Sequence, residues 1–73
     1  MSKYRFINDE YKIDFNVPVG LQELIDEAEK ADIEDHIGTY YAMVDAIDVV
    51  AKNCYAAGLI TKKQWDIIAY RYV

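Results

Sequence analysis

The chain changes its hydrophobic period once, near Pro18, and that change divides it into two parts. Before it, Tyr11, Ile13, Phe15 and Val17 alternate with Lys12, Asp14 and Asn16. This is the period of a strand with one face on a core. All four apolar members are aromatic or β-branched, the types that suit a pleated surface. Upstream, Tyr4 and Phe6 alternate more weakly with Arg5 and Ile7, and Asn8-Asp9-Glu10 supplies turn residues between the runs. The pattern predicts a β-hairpin over about 3–17. An isolated hairpin is marginal in water, so its apolar face is expected on the helices that follow.

Pro18 suits the start of a helix. Over 19–31, Leu21, Leu24, Ile25 and Ala28 form an apolar stripe, with Glu23, Asp26, Glu27 and Lys30 opposite. Asp32 reads as a boundary or the start of the next cap. Over 36–57, helical spacing centres Tyr40, Val44, Ile47, Ala51 and Cys54 on one face. Ile37, Tyr41, Met43, Val50 and Tyr55 widen that face to about half the circumference, which predicts a central helix with several neighbours. Gly58 stands where a left-handed cap would end it. Thr61 and Gln64 have the spacing of a capping box, and Ile60 and Trp65 that of a hydrophobic staple. The last helix, 62–72, then presents Trp65, Ile68, Ala69 and Tyr72 on one face. The expectation is one α+β domain, an N-terminal β-hairpin packed on a small three-helix domain, in the order β–β–α–α–α.

Composition narrows the chemistry. With 73 residues the chain makes one small domain. Cys54 is the only cysteine, so no disulfide forms within the chain, and a lone thiol fits a reducing, cytoplasmic setting. A zinc site needs about four ligands, and His36 is the only histidine; no metal or other cofactor is expected. A hydrophobic content of 53% is too high for a disordered chain. No apolar run approaches the roughly 20 residues that span a bilayer, and Met1-Ser2-Lys3-Tyr4-Arg5 does not lead into a signal-peptide core. The reading is a soluble cytoplasmic domain with no membrane partner.

Charge is uneven. Residues 23–48 hold nine acids against Lys30 alone, a balance of −8, while residues 1–22 sum to zero and residues 49–73 to +3, giving the net −5. The middle repels nucleic acid, and the C-terminal end can attract an acidic surface. Catalysis is not expected. His36 has Asp32, Glu34 and Asp35 nearby but reads as part of a solvated helix start, and Cys54 lies on an apolar face as a small core residue. The only serine is Ser2, and the three glycines form no phosphate loop.

Binding is the expected job, and three surfaces compete for it. Ile67 and Tyr70 lie away from the Trp65–Ile68–Tyr72 face, so the last helix is apolar on more than one side. That pattern suits a protein interface or a homodimer, or a second face covered by the hairpin. The acids around Glu23, Glu27 and Asp35 suit either a solvated helix face or a nucleic-acid mimic for a basic groove on another protein. As the alternative, Lys62, Lys63 and Arg71 on the last helix suggest a helix-turn-helix-like DNA-binding or regulatory protein. Against it, Gln64 stands where that motif wants an inward apolar residue, and the rest of the chain is acidic.

The run from Asn53 to Trp65, the Tyr70-Arg71-Tyr72 end and the segment Tyr11 to Leu21 together resemble small uncharacterised proteins carried by conjugative elements and phages of Gram-positive bacteria. The resemblance implies an accessory or anti-defence role, such as inhibition of a host nuclease complex. It transfers no functional residue. The leading expectation is a small acidic, non-enzymatic protein-interaction module that binds another protein or itself.

Overall fold

The computed structural model describes residues 4–72 and places three helices, α1 (Val19–Ile33), α2 (Ile37–Ala56) and α3 (Lys62–Arg71). Among the described residues there is no strand. The fold is all-α, and the hairpin expected over about 3–17 does not form over the part of it that is described. The expected turn is present: Asn8 accepts the Tyr11 N–H on its carbonyl at 3.2 Å and the Glu10 N–H on its Oδ1 at 3.2 Å. Its flanks do not pair, because the donors a ladder would need are committed elsewhere. Oδ1 of Asp32 accepts the Arg5 N–H at 2.6 Å, and Oδ2 accepts those of Phe6 and Ile7 at 3.1 and 3.0 Å. The Asn8 N–H donates to the Arg71 carbonyl at 2.9 Å.

The second run keeps its alternation without a partner strand. Ile13, Phe15 and Val17 are half-buried against the helices, while Lys12, Asp14 and Asn16 are exposed. A period of two records which side chains go inward; it does not require that the backbone pair with a neighbour. Residues 4–17 are therefore an irregular arm laid across the helices.

The helices follow from their stripes. α1 buries Leu21, Ile25, Ala28, Ala31 and Asp32 and packs on α2, which follows after the short turn 34–36. α2 buries Tyr40, Ile47, Ala51 and Cys54, and α3 buries Ile68 and Arg71. The width expected for α2 is realised on one flank only. Met43 and Val50 are half-buried there, whereas Tyr41 and Tyr55 on the other flank are 55% and 40% exposed. Leu21, Ile25, Ile47 and Ile68 are the large apolar side chains that are essentially fully enclosed, each worth about 2 kcal/mol of burial. That is a short core, so its polar fastenings carry weight.

Two turns fix the helix angles. Gly58 at φ 76° closes α2 as expected: Leu59 N–H reaches the Cys54 carbonyl at 2.9 Å and Gly58 N–H the Tyr55 carbonyl at 3.0 Å. This is the Schellman pattern. α1 ends in the same way without a glycine. His36 N–H donates to Ala31 at 2.8 Å and Asp35 N–H to Asp32 at 3.1 Å, with Asp35 at φ 61°. A side chain in that conformation is strained, so Asp35→Gly is expected to raise stability by about 0.5–1 kcal/mol. The variant loses an ion pair to Arg5 at 3.7 Å, but both partners are well exposed and the pair contributes little. A urea midpoint below that of the parent would contradict this reading.

Candidate protein-binding groove

The short link from Gly58 to Thr61 sets α3 against α2 at one end and leaves the helices apart further along. The fastening at the closed end is local. Thr61 Oγ1 accepts the Gln64 N–H at 3.1 Å, and Gln64 Oε1 accepts the Thr61 N–H at 2.9 Å, completing the capping box. Ile60 is buried beside it, and Tyr55 stacks on Trp65 with ring centroids 4.8 Å apart. Thr61→Ala is expected to cost about 1 kcal/mol in a denaturant titration; an unchanged midpoint would show that the cap does not hold α3.

Beyond that end, α2 and α3 enclose a groove of about 240 Å³. Its walls and floor are Val44, Ile47, Ala51, Trp65, Ile68, Ala69 and Tyr72, with Asp45 and Asp48 from α2 at the rim. Trp65, on the apolar face expected for the last helix, is only half-buried and forms part of the α3 wall. Ala69 is exposed there. Neither rim carboxylate makes an ion pair or side-chain hydrogen bond with another described residue. Tyr72 also lines a second depression with Arg5, Phe6, Tyr40 and Tyr41, so the aromatic surface continues past the groove. Burial pushes the Tyr72 hydroxyl up to about 12, and it raises Tyr40 to about 12 with help from the Asp32 charge. Both phenols keep their protons at neutral pH and offer hydroxyls rather than charges.

Away from the groove, Arg71 fastens α3 to the arm. Arg71, 4% exposed, donates from Nη2 to Glu29 Oε1 at 2.9 Å, from Nη1 to the Tyr11 carbonyl at 2.8 Å and from Nε to the Tyr72 hydroxyl at 3.3 Å. Its guanidinium lies 5.5 Å from the Tyr4 ring and 5.6 Å from that of Tyr72. A second carboxylate, Asp9, stands 3.8 Å from Nη1. Arg71 thus ties arm, α1 and α3 together.

The residues singled out from sequence scatter over the surface. Ile67 is half-buried, and Tyr70 is exposed with its ring 5.4 Å from that of Tyr11 in the arm. Glu23 and Glu27 are exposed on α1, which contributes nothing to the groove, and Asp35 sits in the α1–α2 turn. Of the three basic candidates, Arg71 is buried in internal bonds and so is not placed to meet a phosphate. Lys62 pairs with Asp66, a contact that raises its pKa, and Lys63 is exposed. His36 is exposed at the start of α2, and Cys54 is buried in it. Among the described residues no three His, Cys, Asp or Glu side chains gather as a metal site, and no helix is long and apolar enough to cross a membrane. No protein-family model, curated protein or solved structure matches the chain.

Sequence reasoning missed Asp32 as a structural residue and Asp45 and Asp48 as a rim. Asp32 carried a signal: it lies eleven, seven and four positions after Leu21, Ile25 and Ala28, inside the apolar stripe. The rim acids carried only their place beside Val44 and Ala51, which becomes informative once α3 is known to stand opposite.

Proposed function

We propose that this chain is a non-enzymatic protein-binding domain that docks another polypeptide in the groove between α2 and α3. The observation behind the proposal is that groove: an apolar cleft, floored by Ile47 and Ile68, that the chain's own side chains leave unfilled. Apolar concavities with a few polar rim groups are where proteins hold partners. The contrast with Arg71, whose polar groups the arm and α1 satisfy from within the chain, supports the assignment. DNA binding through the last helix is disfavoured, since Arg71 is internal and the chain as a whole carries −5. A cytoplasmic setting belongs to the same proposal, on the strength of the lone cysteine. An accessory or anti-defence role on a mobile element is the biological context it suggests, resting on the sequence resemblance alone.

Affinity capture from the native host, read by mass spectrometry, tests this with a paired variant. Ala69→Glu puts a charge in the groove at an exposed position, so folding should stay within about 0.5 kcal/mol of the parent. The parent is expected to retain a partner that the variant does not. Equal capture by both proteins, or retention of the parent on duplex DNA at low salt with no captured protein, would refute the proposal.

A further inference from the structure

Resting on the groove reading, we propose the chemistry of the occupant: an amphipathic helix with bulky apolar side chains on one face and Lys or Arg along the flank that meets α2. The first ground is shape. α3 is 10 residues long, about 15 Å at 1.5 Å per residue, and it forms one wall while α2 forms the other. A helix seated between them presents side chains at i, i+4 and i+7 over roughly 10 Å, which the wall accommodates. The lining matches that repeat. Val44, Ile47 and Ala51 advance along α2 in steps of three and four, and Trp65, Ile68 and Tyr72 do so along α3 and its C-terminal cap, with Ala69 one position after Ile68.

The second ground is electrostatic and independent of the first. Asp45 and Asp48 stand exposed, three positions apart on the same lip, and neither makes an ion pair with a described residue, Lys52 one turn beyond Asp48 included. No Lys or Arg lines the groove. The whole chain carries −5. An acidic helix would bring like charges to that lip, and a second copy of this chain would bring another −5 to the encounter. A cationic helix gains on both counts, in rate of association and in register. The same acids argue against nucleic acid or an anionic lipid surface at this site.

Trp65 is the only tryptophan and lies in the groove wall, so its emission reports occupancy directly. The test titrates the full chain with three synthetic helical peptides. One has leucines at i, i+4 and i+7 with lysine flanks; one has the same leucines with glutamate flanks; one has the lysines with serines in place of the leucines. The first is expected to shift Trp65 emission saturably, and added salt should weaken it. Asp45→Asn with Asp48→Asn should reduce its affinity about tenfold, the scale of two rim charges, with thermal unfolding unchanged. The other two peptides should bind at least about tenfold more weakly. Equal binding of the lysine and glutamate peptides would overturn the charge rule and leave the binding-domain reading standing. Equal binding of the serine peptide would show charge attraction without the groove. Failure of all three to bind, or a concentration-dependent mass that Ala69→Glu abolishes, would overturn the inference, the latter by naming a second copy as occupant.

Discussion

Asp32→Asn is expected to lower the stability of the fold by about 3 kcal/mol, and to loosen the arm before the helices. Three backbone N–H groups converge on this carboxylate, one on Oδ1 and two on Oδ2, at a residue with no exposed surface. Hydrogen bonds to a charged acceptor contribute about 1.5–3 kcal/mol each, and a buried donor left unpaired costs about 1–3 kcal/mol. The asparagine keeps the shape and one acceptor. Its NH₂ faces at least one backbone N–H, donor against donor. In a domain of this size the loss corresponds to a drop in melting temperature of about 12–24 °C. Amide exchange separates the mechanism from general damage. Arg5, Phe6 and Ile7 should lose protection in the variant under conditions where Ile47 and Ala51 in α2 still keep theirs. An unchanged melting temperature would mean that the arm is held by something other than Asp32.

Arg71→Met should cost about 2 kcal/mol. Methionine preserves much of the apolar stem but removes the guanidinium that bridges Glu29, the Tyr11 carbonyl and the Tyr72 hydroxyl. Breaking a fully buried pair by deleting one partner costs about 3–5 kcal/mol; Glu29 keeps 30% of its side chain in water, which moderates the loss. Arg71→Lys should recover less than half of it, because an ammonium cannot reproduce the planar fork. In a double-mutant cycle with Glu29→Gln, a coupling of about 1 kcal/mol is expected. Strict additivity would show that Arg71 acts through packing alone.

The sequence carried the helices well, because each has a stripe at helical spacing and two have explicit stops or starts. Gly58 and the Thr61–Gln64 box act through a few bonds between near neighbours, and such local chemistry is legible in one dimension. The arm was misread for the opposite reason. Its alternation correctly sorted Ile13, Phe15 and Val17 from Lys12, Asp14 and Asn16, but the fate of its backbone rests on Asp32, some 25 residues away. Reading Asp32 as a helix boundary or cap concealed it; its position among Leu21, Ile25 and Ala28 marks a buried carboxylate in need of donors. Arg71 is the same case in α3. It lies four and three positions after Ile67 and Ile68, and its partners Glu29 and Tyr11 are 42 and 60 residues away in the chain. The groove was legible only in its parts, since Val44 and Ala69 belong to expected core faces and nothing local says that those faces stand apart.

The fold pairs its buried charges internally and leaves the α2–α3 cleft open, the place proposed above for another polypeptide. Photo-crosslinking in the native host tests that proposal most directly, with p-benzoylphenylalanine placed at Ala69 in the groove or, separately, at Glu27 on the exposed side of α1. The expected result is a discrete adduct with one other protein from position 69 and none from position 27. An adduct from position 27 alone, or a folded chain that gives no protein adduct from position 69, would mean that the cleft holds no partner.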